Sequence, residues 1–96
     1  MKAKTALQAK KLEHIPNVGP RIAADFQMLG ILKPTDLKSK DPMKLYEQLN
    51  RQTGMRHDPC VLDTFMAAID FMNGGRAKPW WKFTTKRKSL LESTKK

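Results

Sequence analysis

The chain has 96 residues, 40% of them hydrophobic, which suits one small folded domain and leaves little room for a deep active-site cleft. Its formal net charge of +10 is concentrated at the ends, because residues 1–14 carry +3 and residues 76–96 carry +7, whereas residues 41–75 carry −2. The single cysteine, the lack of an N-terminal apolar stretch and the lack of a membrane-length apolar run predict a cytoplasmic protein without a membrane partner.

The first two predicted elements flank a turn. Residues 4–13 contain good helix formers and few large apolar side chains, which predicts a surface helix. Two prolines, an asparagine and a glycine then crowd into residues 16–20 and force a tight turn. From Pro20 to Leu29, apolar residues recur at helical spacing, so a second helix is predicted that Gly30 ends.

Two further helices begin at an aspartate followed by a proline. The carboxylates of Asp41 and Asp58 can accept hydrogen bonds from first-turn N–H groups, and the proline after each lacks an N–H where none is needed. The predicted helices run over residues 42–52 and 59–73, with a short helical connector before them. No segment alternates with a period of two, so no sheet is expected.

The last segment is aromatic and basic. Residues 79–83 are predicted to be extended. Trp80 and Trp81 have two interpretations: they are anchors that fix the tail to the helices, or a platform on which unpaired bases stack. Both interpretations leave the neighbouring cations able to reach phosphate; these are Lys86, Arg87 and Lys88.

The turn and its flanks resemble a helix-hairpin-helix motif, in which an apolar residue and a proline precede a glycine–apolar–glycine turn that opens a helix. The matching residues are Leu12, Ile15, Pro16, Asn17, Val18, Gly19, Pro20, Arg21, Ile22 and Ala23. Small residues beside Val18 let the backbone approach a ligand, while the Val18 side chain packs inward between the helices. The N–H groups and the dipole of the next helix then face a phosphate oxygen. The DNA-binding residues predicted here are Asn17, Val18 and Gly19, flanked by Arg21, Lys10 and Lys11.

Asn17 stands where the motif usually has its first glycine. Asparagine tolerates a left-handed backbone better than other non-glycine residues, so the turn is expected to form, with a side chain near the phosphate. The alternative for the whole hairpin is that it only joins two packed helices.

The resemblance implies an all-α fold: one helical domain of about five helices over residues 1–75 and a basic, tryptophan-containing, extended tail over residues 76–96. Residues 42–73 repeat the helix–turn–helix layout and are compatible with a pseudo-repeat of the hairpin. The negative charge of that half disfavours close contact between its helices and DNA.

Three residues at the second turn resemble metal ligands, namely His57, Asp58 and Cys60, and His57 with Cys60 also suggests a base and a nucleophile. A structural zinc site needs four ligands, and only the distant His14 could complete this set. Asp58 is explained as a helix cap. Cys60 is expected to be inert, with a dipole-lowered thiol pKa as the alternative. The favoured interpretation is a structural network in which Arg56 or His57 pairs with a carboxylate, with no metal or cofactor.

The chain as a whole resembles a small family of bacterial helix-hairpin-helix proteins known as pathogenicity locus or mitomycin resistance proteins. The motifs that carry this resemblance span residues 12–88; they are Ile15-Pro16-Asn17-Val18-Gly19-Pro20, Thr53-Gly54-Met55-Arg56-His57-Asp58-Pro59-Cys60-Val61-Leu62-Asp63, and Pro79-Trp80-Trp81 with Arg87-Lys88. The family names record genetic context rather than a reaction.

Two functions are compatible with these features. The first is sequence-independent binding of nucleic acid, in particular DNA, accessory to repair, recombination or uptake. The second is an adaptor that presents residues 41–75 or the tryptophans to a larger DNA-processing protein. An enzyme is not expected, because no paired carboxylates, phosphate loop, serine triad or complete metal set is present.

Overall fold

The computed structural model describes residues 2–94, and these residues form helices and no β-strand. The α-helices are α1 (Pro20–Met28), α2 (Pro42–Thr53), α3 (Pro59–Met72) and α4 (Thr84–Thr94). Short 3₁₀ turns lie at Ala6–Gln8, Leu12–His14, Pro34–Leu37 and Trp80–Phe83. The predicted all-α class is confirmed, with four α-helices in the described part of the chain. Residues 1, 95 and 96, which the predicted domain boundaries include, lie outside it.

The segment before the first turn is not the predicted helix over residues 4–13. It forms the 3₁₀ turns Ala6–Gln8 and Leu12–His14, separated by extended backbone at Lys11 (φ −128°, ψ 155°). Leu7 is 84% exposed, so the segment has no continuous apolar face to pack. Helix propensity alone does not stabilise so short a helix in water.

The helices α2 and α3 begin with the predicted aspartate cap followed by a proline. The Asp41 carboxylate accepts a hydrogen bond from the backbone N–H of Met43 at 2.9 Å, and that of Asp58 accepts one from Cys60 at 2.8 Å. After α2, Gly54 adopts a left-handed conformation (φ 69°), which favours glycine.

The helix α3 lies at the centre of one hydrophobic core. Ten of its residues are buried, and it packs against α2, α4 and the turn at Trp80–Phe83. Phe26 of α1 stacks on Phe65 of α3 with ring centroids 4.8 Å apart. The first half of the chain is thereby joined to the second through a buried aromatic pair.

The C-terminal segment is helical from Trp80 onwards, so the extended backbone predicted for residues 79–83 is found only at Pro79. A 3₁₀ turn at Trp80–Phe83 leads directly into α4. Leu90 and Leu91 pack against the core together with Phe83 of the preceding turn, which stabilises a helix whose other nine residues are polar or charged. Within residues 2–94, no helix is both long enough and apolar enough to cross a lipid bilayer.

Candidate nucleic-acid interface

The turn at residues 15–20 has the backbone that its sequence predicts. Asn17 adopts a left-handed conformation (φ 71°), and the N–H of Val18 donates to the carbonyl of Ile15 at 3.1 Å. The side chains of Ile15 and Val18 are fully buried. These two apolar side chains anchor the turn in the core. Because Val18 is completely buried and its N–H is bonded to the Ile15 carbonyl, the prediction that Val18 offers its N–H to a phosphate is wrong.

Gly19 is the N-cap residue of α1, and the fold itself does not require a glycine there. Its φ of −96° is open to any residue, and a Cβ added at this position would meet no atom within 4 Å. The first N–H groups of a helix have no partner within the helix, and Gly19 supplies no side-chain cap. The missing side chain therefore leaves open space directly before the N-terminus of α1.

The Asn17 side chain is bonded to the protein's own backbone. Its Nδ2 donates a hydrogen bond to the carbonyl of Lys78 at 2.6 Å. The amide is thus held by the segment that leads to the tryptophans. This bond also makes the turn and the segment around Lys78 spatial neighbours although 61 residues separate them along the chain.

Lys2 is a component of the turn that sequence analysis missed. Its ammonium donates to the carbonyls of Glu13 at 2.7 Å and Ile15 at 3.1 Å, and also to the carbonyl of Val18. Burial lowers the pKa of Lys2, and the nearby charge of Glu13 opposes that shift. The ammonium thus bridges three backbone carbonyls, and the one of Ile15 also accepts the N–H of Val18. No local pattern connects residues so far apart, so the sequence carries no signal for this contact.

Three of the predicted cations lie along α1. Arg21 is exposed in its first turn. Lys10 and Lys11 are exposed and line a cavity of about 210 Å³ together with Ala23 and Gln27 of α1. Arg21 thus lies at the N-terminus of α1, whereas Lys10 and Lys11 lie further along the helix, where Glu13 lines the same cavity.

The three cations of the C-terminal segment do not act as a group. The Arg87 Nε donates to Oδ1 of the fully buried Asp63 at 2.8 Å, and only 13% of the Arg87 side chain is exposed. The hydrogen bond with Asp63 raises the pKa of Arg87. Because Arg87 is engaged in this internal ion pair, we withdraw it from the phosphate-binding set. Lys88 is exposed, and Lys86 lines a separate cavity of about 340 Å³ with Lys40.

The cluster after α2 is a structural network, but its partners are not the predicted carboxylates. The His57 Nε2 lies 3.0 Å from Oγ1 of Thr53, and the His57 backbone N–H donates to Oδ1 of Asn50 at 2.8 Å. The Tyr46 hydroxyl donates to the His57 carbonyl. Arg56 is exposed to solvent. Polar side chains of α2 thus fix the turn that leads into α3.

Cys60 lacks the environment of a reactive thiol. Burial and a hydrogen bond with Asp58 both raise the pKa of the Cys60 thiol, whereas an activated cysteine needs a lowered one. Among residues 2–94, no group of three histidine, cysteine, aspartate or glutamate side chains is placed to hold a metal ion.

The two tryptophans have different environments. Their rings contact edge to face, with centroids 5.7 Å apart and an interplanar angle of 84°. Trp80 is half-buried, whereas Trp81 is 59% exposed. The anchor interpretation is therefore wrong for Trp81, because Phe83 is the aromatic residue of this turn that packs against the core.

An all-α core that carries a structured turn, an open helix N-terminus and exposed lysines defines a small helical domain with a basic surface. The model of the family described as "Pathogenicity locus" matches residues 5–89, and the chain belongs to this family. It is 41% identical over 87 residues to a "Mitomycin resistance protein McrB" of Streptomyces lavendulae, a match that covers 91% of this chain and 83% of that protein. No solved structure matches the chain. The family resemblance seen in the sequence is thus confirmed, and these names specify no mechanism.

Proposed function

We propose that this protein binds nucleic-acid backbone, in particular DNA, independently of base sequence, through a helix-hairpin-helix turn at residues 15–20. The observation that carries the proposal is the open space at Gly19, where neither the backbone conformation nor packing calls for a glycine. A phosphate is the ligand suited to that space, because unpaired N–H groups and a helix dipole attract an anion. In this arrangement the element before the turn is the 3₁₀ turn Leu12–His14 instead of an α-helix.

Electrostatics around the turn support the same ligand. The ammonium of Lys2 adds a positive charge at the turn, where it bonds to three backbone carbonyls of residues 13–18. Arg21 adds an exposed cation in the first turn of α1, and Lys10 and Lys11 add two more along that helix. Cationic side chains and backbone N–H groups attract an anion whatever base it is attached to, so binding of this kind carries no base preference.

The test is a fluorescence-anisotropy titration of a short blunt DNA duplex with the native chain and with Gly19→Glu. The new carboxylate has room in the protein, so far-UV circular dichroism is expected to be unchanged. It places a negative charge against the phosphate, and affinity is expected to fall by about tenfold or more. Gln52→Glu, which adds the same charge at an exposed position of α2, is the control and is expected to bind like the native chain.

Equal binding by the native chain and Gly19→Glu would contradict the hairpin mechanism. Absence of any duplex binding at low salt would contradict the function itself, and the adaptor hypothesis would then be preferred.

A further inference from the structure

Trp81 is held in a defined position with its ring in solvent. The side chain is 59% exposed, which makes it the aromatic member of the exposed large hydrophobic residues in the described part of the chain. Its backbone lies in the 3₁₀ turn Trp80–Phe83, whose last residue packs against the core, and the Trp80 ring supports it edge to face. An indole that served only the core would be buried, because exposed aromatic surface is unfavourable in water. This exposed ring is therefore available as a rigid contact surface.

The segment that carries Trp81 is rich in cations, two of which are paired with aspartates of α3. The sequence contains no aspartate or glutamate between residues 71 and 91. Lys82 follows Trp81 directly and is exposed. Lys78 forms an ion pair with Asp70 at 3.5 Å, so that charge is already partly compensated. A flat aromatic surface among cations suits a ligand with both an aromatic face and a negative charge.

This aromatic surface continues from the hairpin turn. The Asn17 Nδ2 lies 2.6 Å from the carbonyl of Lys78. From Lys78 to Trp81 is three residues, which span at most about 11 Å. One strand of DNA advances about 3.4 Å per nucleotide, so the part of the path from Lys78 to Trp81 corresponds to about three nucleotides.

We infer that Trp81 stacks on an unpaired base of a single strand that leaves the duplex bound at the hairpin turn. The ligand class is thus a duplex with a single-stranded extension, and the inference rests on the proposed function, which supplies the duplex contact. Nucleic acid is favoured over an acidic peptide because every base offers a face for the indole to stack on, whereas an acidic side chain does not.

The experiment compares three probes by anisotropy: a blunt duplex, the same duplex with a five-nucleotide single-stranded extension, and that extension made abasic. The abasic probe keeps every phosphate and removes the stacking partners. The native chain is expected to bind the base-bearing extension about 5- to 150-fold more tightly than the abasic one. Trp81→Ala is expected to abolish this preference, whereas Trp81→Phe retains part of it. Met55→Ala, which removes another exposed apolar side chain, serves as the control and is expected to retain it.

A second readout uses the Trp80→Phe variant, in which Trp81 is the sole tryptophan. Its emission is expected to be quenched by the base-bearing extension and not by the abasic one. Equal affinity for the two extensions, or a base preference that survives Trp81→Ala, would overturn the inference. The blunt duplex reports the proposed function separately, because its binding depends on Gly19 and not on Trp81.

Discussion

At the scale of single residues, two glycines of this chain differ in whether the fold leaves room for a side chain. A Cβ at Gly75 would lie 2.3 Å from Oδ2 of Asp70 and 2.8 Å from the Asp70 carbonyl oxygen. The Gly75 N–H also donates to that carbonyl at 2.9 Å, so neither partner can move away without breaking a hydrogen bond. At Gly19 a side chain meets nothing. The fold requires the first glycine, and only the proposed ligand requires the second.

Gly75→Ala is expected to lower the free energy of unfolding by about 1–3 kcal/mol, because the new methyl group overpacks a site that has no free volume. Gly19→Ser is the matched variant and is expected to be neutral or slightly stabilising, since serine is a favourable N-cap residue. Denaturation by urea, followed by circular dichroism, measures both. Similar losses of stability in the two variants would contradict this account.

The Asp58 cap predicts a pH dependence of stability. Hydrogen bonds from Cys60 hold the pKa of Asp58 below its ordinary value of 3.8. A carboxyl whose pKa is depressed by folding stabilises the native state above its ordinary pKa, and this contribution is lost as pH falls through the lower, folded-state pKa. The stability difference between the native chain and Asp58→Ala is therefore expected to be constant near neutrality and to shrink in acid, from about pH 5 downwards.

Urea denaturation of both proteins across this pH range measures the effect. Asp58→Asn keeps a capping oxygen without a titrating charge, so its difference from Asp58→Ala should not follow the same curve. A native-minus-alanine difference that stays constant down to the acid limit would be inconsistent with the depressed pKa.

At the scale of elements, the helices predicted from the sequence are those with local start and stop signals. The proline at the first position of α1 and the aspartate–proline pairs of α2 and α3 act within one turn, so they are visible in the sequence. Residues 4–13 have the propensity of a helix, yet they form two 3₁₀ turns, and only Ala9 and Leu12 of the segment are buried in the core. The helix α4, in contrast, forms although its composition is poor in apolar residues. It is held by contacts with α3 that sequence spacing does not reveal.

The ion pair between Arg87 and Asp63 is the contact that we expect to matter most for α4. Arg87→Ala leaves the buried Asp63 carboxylate with the Thr84 hydroxyl at 2.8 Å as its remaining side-chain hydrogen bond, and is expected to cost about 3–5 kcal/mol of unfolding free energy. Lys88→Ala, at an exposed position of the same helix, is expected to change stability by at most about 0.5 kcal/mol. Thermal and urea denaturation test the pair. Equal effects of the two substitutions would show that the ion pair does not stabilise the helix.

At the scale of the whole molecule, the candidate site combines a part that the sequence predicts with a part that it does not. Asn17, Val18 and Gly19 are adjacent, and their conformations follow from local chemistry. The contacts of the turn with Lys2 and with the Lys78 carbonyl depend on how the ends of the chain pack, and no residue spacing encodes them. Likewise, the 3₁₀ turn in which both tryptophans lie determines that Trp81 is exposed and that Trp80 is partly buried.

The salt dependence of duplex binding tests the charge distribution around the whole domain. With about four phosphates neutralised, log affinity is expected to fall with log salt at a slope of about −3.6. The double variant Lys10→Gln, Lys11→Gln removes two cations beside α1 and is expected to change the slope to about −1.8. Lys44→Gln with Arg51→Gln removes the same charge from exposed positions of α2 and is expected to leave the slope near its native value.

The bonding of the turn to two distant parts of the chain bears on whether the motif is an autonomous module. A synthetic peptide of residues 10–30 would contain every residue of the helix-hairpin-helix pattern, yet it would lack the Lys2 ammonium that bridges the turn's carbonyls and the Lys78 carbonyl that holds Asn17. It would also lack the core into which Ile15 and Val18 insert. Grafting this segment onto another scaffold would therefore transfer its sequence without its conformation. The turn is completed only when the entire domain has folded around it.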